Sequence, residues 1–205
     1  MKKTILLASL AFGLMACNSN QEAPKTETKT VETAVKKETP EPIIAWKATK
    51  ITGDSHTGGI KLKSGEFTMN DGKLEATSFV IDMNSITCLD IEDAEYNKKL
   101  VDHLKNKDFF AVQEFPEASV DITNLQKIDE TNYKATAVMV IKGVKGEVEV
   151  PLSIVDNNTF KMVMGRLDID RTKYDITYGS ASFFDNLKDK AIDNVFNVKF
   201  AIPIK

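Results

Sequence analysis

The chain has 205 residues with 27 Lys and Arg against 30 Asp and Glu, a formal charge of -3; this mildly acidic balance argues against nucleic-acid binding, which usually needs a basic face. Its two cysteines are Cys17 and Cys88, its two histidines are His56 and His103, and no metal-ligand spacing links them. A GxSxG elbow, a P-loop and a zincin pattern are all missing, so catalysis has no support in the sequence.

In chain order, Lys2 and Lys3 precede the uncharged run Thr4 to Met15, and Leu14-Met15-Ala16 leads into Cys17. The run is shorter than the roughly 20 apolar residues of a spanning helix and is followed by Asn18, Ser19 and Asn20, so residues 1–16 read as a cleaved signal. Cleavage moves the formal charge from -3 to -5 as Lys2 and Lys3 leave. The next segment, to Pro42, has no aromatic residue and is dominated by Thr, Glu, Lys, Pro and Ala. Such a composition cannot bury enough apolar surface to offset ordering entropy, and it predicts a tether over 17–42 with a reach on the order of 25 to 30 Å.

One domain is expected from Ile43 to Lys205, where period-two patterning dominates. Strands are predicted at Ile43–Thr49, Thr57–Met69, Lys73–Met83, Glu117–Leu125, Tyr133–Ile141, Gly146–Val155, Thr159–Ile169 and Phe196–Ile204. Turn residues separate several of them, as in Asn70-Asp71-Gly72 and Asp156-Asn157-Asn158, and short links imply antiparallel neighbours. In the last strand Phe196, Val198, Phe200, Ile202 and Ile204 share a face, and Pro203 falls near its end. Tyr96, Leu100 and Leu104 recur every four residues between Asp93 and Phe110, predicting an amphipathic helix capped by Asp93 between the third and fourth strands. A weaker helical stretch spans Phe183 to Ala191. The expected fold is mainly β, an eight-stranded antiparallel barrel, because closure removes exposed edges; a sandwich is the alternative. A barrel of this size is either filled by its side chains or holds one small ligand.

Met69, Met83, Met139, Met162 and Met164 fall in or beside strands, where they serve a core or line a pocket of adaptable shape. Phe109-Phe110 and Phe183-Phe184 lie in connections, as barrel plugs or as a lid. The candidate cavity lining is Phe79, Ile81, Phe109, Phe110, Val138, Met162, Met164, Phe184 and Phe200. Candidate polar contacts are His56 in its glycine-rich bend, Asp82, Arg166 and Arg171. The two arginines are five residues apart and fall on opposite faces of a continuing strand, so one can meet a ligand headgroup, or both can pair with Asp168, Asp170 or Asp175. His103, beside Leu100 and Leu104, reads as structural.

Leu14-Met15-Ala16-Cys17 resembles the bacterial lipobox, which implies acylation of Cys17 and a lipid-anchored protein of the bacterial cell envelope. Asn18 in place of Asp removes the enterobacterial inner-membrane retention signal and points to the outer membrane, facing the periplasm or the surface. The domain resembles the YceI-like family of lipocalin-like proteins associated with polyisoprenoid binding. The resemblance is carried, in the family's order, by Ser55-His56-Thr57-Gly58, Ile81-Asp82-Met83-Asn84-Ser85-Ile86, Asp102-His103-Leu104-Lys105 and Asp108-Phe109-Phe110 with Phe115-Pro116, then by Ile141-Lys142-Gly143-Val144 and Ile169-Asp170-Arg171 with Tyr178-Gly179-Ser180. It implies a barrel with a helix beside it and an apolar channel for an isoprenoid or fatty-acyl chain, and it allows homodimers; in the absence of a ligand spacing, no cofactor and no metal are expected. Ala111 stands where the family often has Asp, and Tyr174-Asp175 where it has Phe-Gly. Non-enzymatic binding, storage or local transfer of a lipid chain is the leading functional expectation. A structural or stress-related envelope protein with a filled barrel is the first rival, and an enzyme acting on a lipid headgroup through His56, Asp82 or Arg171 is the second.

Overall fold

The computed structural model describes residues 39–205. The expected signal, Cys17 and nearly all of the predicted tether lie outside the described residues. The described residues form ten strands: β1 (Ile43–Thr49), β2 (Ser55–Ser64), β3 (Phe67–Asn70), β4 (Lys73–Ala76), β5 (Phe79–Cys88), β6 (Glu117–Lys127), β7 (Asn132–Ile141), β8 (Val144–Asp156), β9 (Lys161–Asp170) and β10 (Val195–Pro203). Eight of them close into an antiparallel barrel in the order β1-β10-β9-β8-β7-β6-β5-β2, and β3 and β4 form a separate hairpin.

That hairpin corrects two of the expected strands. Thr57–Met69 breaks at Gly65, which adopts φ 115°; a Cβ there would lie 2.5 Å from the Phe79 ring, so only glycine makes this turn. Lys73–Met83 breaks between Ala76 and Phe79. The excursion folds back on the barrel end, where Phe67 (2% exposed) and Leu74 are buried. The Phe67 and Phe79 ring centroids are 4.9 Å apart. Lys205 donates its backbone N–H to the Phe67 carbonyl at 3.0 Å, tying the hairpin to the C-terminal strand.

The helix α1 (Ala94–Lys105) begins at Asp93, whose carboxylate accepts from the N–H groups of Glu95 and Tyr96 and satisfies two of the donors left open at a helix start. The expected helix over Phe183–Ala191 is reduced to one 3-10 turn at Lys188–Lys190. A second 3-10 turn, Arg171–Tyr174, ends on Asp175 in the left-handed region at φ 56°. Asp tolerates that region better than most residues, which explains how it stands where the resemblance expects glycine. Tyr174 is buried, and its hydroxyl packs on Gly146, where a Cβ would lie 2.5 Å from it.

Candidate functional site

The inner faces of the barrel strands enclose an apolar cavity of about 190 Å³. A buried water needs about 10–15 Å³ on the same measure, so the space equals on the order of a dozen waters. It is too large for the filled barrel weighed above. The walls follow strand parity: β10 turns Phe196, Val198, Phe200 and Ile202 inward as expected from its pattern, and β1 turns in Ile44, Trp46 and Ala48. Phe67 forms the floor. Toward the other rim the lining includes Leu104 of α1, Phe109, Phe110, Ile176 and Ile192.

Trp46 shows how closely the wall is built. Its indole N–H donates to the Thr87 carbonyl at 3.2 Å, and its ring lies over Gly58, where a Cβ would come within 2.4 Å of the ring and 1.8 Å of the Thr87 oxygen. Any side chain at position 58 would push the β1–β2–β5 wall apart. Phe109 is held by an aromatic cluster at the rim, 4.9 Å from the His103 ring and 5.3 Å from Tyr178. His103 also meets Asp108 at 3.1 Å. Phe110 makes an edge contact with Phe196 at 6.3 Å.

Of the lining residues expected from sequence, Phe79, Ile81, Phe109, Phe110 and Phe200 border the cavity. Val138, Met162, Met164 and Phe184 do not. Val138 alternates with Met139, and Met162 and Met164 alternate with Val163; in each case the neighbour is the inward residue (Met139 4%, Val163 0% exposed). Met164 is 43% exposed and Phe184 50%. Both members of the Phe109-Phe110 pair face the cavity, whereas Phe183 and Phe184 are both exposed. Only Met83 and Met139 among the five strand methionines line the space. The sequence does not single out Trp46 or Phe67: Trp46 falls in a short strand, and Phe67 becomes a floor only once Gly65 turns the chain.

The polar candidates do not converge. Arg166 is exposed and donates through Nε to Asp168 Oδ1 at 3.2 Å. Asp82 lies on the outward parity of β5 and accepts from the Asn84 N–H at 3.0 Å. His56 Nδ1 meets Asp90 Oδ2 at 2.8 Å on the rim. Arg171 alone borders the cavity, at 4% exposure, but it is engaged. Nε donates to the Asp193 carbonyl (3.0 Å), Nη1 to those of Ile176 (2.7 Å) and Tyr178 (2.8 Å), and Nη2 to that of Ile192 (3.0 Å). Four of the five guanidinium donors are therefore committed to backbone, leaving no bidentate pair for a headgroup. Burial lowers its pKa, against the charges of Asp170 and Asp193, which raise it. Arg171 is the pin that folds segment 171–194 across the rim. Asp193 is the other charged residue of the lining.

This architecture agrees with the comparisons. The YceI-like domain profile matches residues 27–204. Among solved structures, BcnA of Burkholderia cenocepacia superposes with a TM-score of 0.63 at 21% identity, covering 80% of this chain and 96% of that one. A polyisoprenoid binding domain from Saccharophagus degradans, implicated in plant cell wall breakdown, gives 0.53 at 15% identity over 78% and 91%. The Campylobacter jejuni YCEI protein gives 0.50 at 15% identity over 70% and 82%. No match was found among curated proteins.

Proposed function

The chain belongs to the YceI-like domain family, and we propose that its barrel binds, stores or locally transfers a hydrophobic chain, an isoprenoid or other lipid, in the bacterial cell envelope without catalysing a reaction. The observation that carries this reading is the apolar cavity of about 190 Å³, among whose lining residues only Arg171 and Asp193 are charged. Binding then follows from burial alone, at about 0.8 kcal/mol per methylene. The polyisoprenoid binding domain of Saccharophagus degradans, which shares the fold, supports the isoprenoid class.

Acylation of Cys17 would attach the protein to its membrane, with residues 18–42 as the tether and the outer membrane as the expected site. An anchored barrel exchanges lipid locally, which favours storage or hand-over near its own membrane over long-range shuttling. Homodimers are compatible with this role. Native mass spectrometry of the purified full chain, followed by lipid extraction, tests the reading. Copurified lipid, or one lipid taken up per barrel from a panel of prenyl and acyl chains, is expected; a chain that stays empty and takes up none would overturn it.

A further inference from the structure

A polar cluster sits on the rim, on the strands that carry the Trp46 wall. Gly58 of β2 pairs with Cys88 of β5, and this register sets His56, near the start of β2, beside Asp90, two residues past the end of β5. Asp90 Oδ2 lies 2.8 Å from His56 Nδ1. Asp90 Oδ1 accepts from the Thr57 N–H at 2.7 Å and from the Cys88 thiol at 3.4 Å. One ligand atom each from His56, Cys88 and Asp90 therefore lie within 4.8 Å of one another. Neither the apolar cavity nor its lipid reading uses these side chains.

We propose that His56, Cys88 and Asp90 form a binding site for a first-row divalent transition metal, best matched by zinc, with a fourth position open to water. The donor set decides the class: a thiolate with an imidazole excludes magnesium and calcium, which take oxygen ligands, and suits zinc. Zinc at its usual bond lengths sets tetrahedral ligand atoms about 3.3–3.6 Å apart. The His56–Asp90 pair must open by roughly half an ångström to reach that spacing. It has the freedom to do so, because the His56 and Asp90 side chains are 41% and 30% exposed. Cys88 is buried and held on β5. The Thr57 amide fixes Asp90 Oδ1, the outer-shell arrangement that orients a ligating carboxylate, and Oδ2 exchanges its contact with His56 Nδ1 for the metal. On binding, the Cys88 thiol loses its proton to solvent and coordinates as thiolate, while neutral His56 binds through a ring nitrogen.

The test uses the full chain, stripped with a chelator and titrated with zinc by calorimetry and with cobalt by absorption. One metal per chain is expected, with a thiolate-to-cobalt charge-transfer band in the near ultraviolet. Cys88→Ser should abolish that band, and His56→Ala and Asp90→Asn should each weaken uptake at least about tenfold, since loss of even an outer-shell partner costs about that much. Cys17→Ser should leave the band intact. His56 and Asp90 lie on the rim, so their variants keep the test valid even where Cys88→Ser fails to fold. Absence of stoichiometric uptake, or uptake unchanged in all three variants, would overturn the proposal and reduce the cluster to a hydrogen-bonded turn.

Discussion

Ala118→Phe tests the cavity most directly. Ala118 is 8% exposed, pairs with Ile81 across the β5–β6 ladder and borders the space. A phenyl ring in place of one methyl hydrogen takes the room of about four methylenes of a bound chain, and at about 0.8 kcal/mol each the loss is ~3 kcal/mol. With 1.4 kcal/mol per factor of ten, binding should weaken roughly 200-fold. Competition titration of a fluorescent prenyl or acyl probe measures this, with Val138→Phe as the control, since that position on β7 faces away from the cavity. The control should bind within about twofold of the parent, because it displaces no chain. Filling a void costs less than overpacking a dense core, which is about 1–3 kcal/mol, so circular dichroism should show both variants folded. A folded Ala118→Phe variant with parental affinity would refute the assignment of the cavity as the lipid site.

Arg171→Met should lower stability by about 3 kcal/mol in chemical denaturation, because it strands buried carbonyls that cost about 1–3 kcal/mol each when unsatisfied; a loss under about 1 kcal/mol would contradict the pin role. Phe109→Ala should cost about 3–5 kcal/mol by emptying a packed site, whereas Phe184→Ser, at an exposed position, should stay within about 0.5 kcal/mol; equal costs would place the two pairs alike. Asp90 carries a pKa lowered from 3.8 to about 2: partial burial acts to raise it, but the Thr57 N–H and the His56 and Cys88 side chains outweigh that. Its charged form is favoured by folding, so its contribution is complete above about pH 4 and disappears as pH falls toward 2. Asp90→Asn should remove that part of the acid-limb stability loss, and NMR titration of the carboxyl should give a midpoint near 2; a midpoint near 4 would refute it.

The strand alternation, the Asp93-capped helix and the barrel are visible in the amino-acid order because period-two burial and capping act between residues a few positions apart. The inward row of β10 was visible for the same reason: Phe196, Val198, Phe200 and Ile202 alternate with Asn197, Lys199 and Ala201. On β7 and β9 both faces carry apolar residues, so alternation alone does not say which is inside. The closed sheet turned Met139 and Val163 inward and left Val138, Met162 and Met164 outside.

Three further features needed the tertiary structure. The hairpin that floors the cavity depends on Gly65 turning back against Phe79, a contact with no local signature. Arg171 holds four carbonyls from a segment that only chain folding brings around it. His56, Cys88 and Asp90 meet through the β2–β5 register, and no ligand spacing along the chain announces them. Periodicity is a property of one strand, but a shared cavity or a ligand cluster is a property of the pairing between strands, and register is decided when the barrel closes.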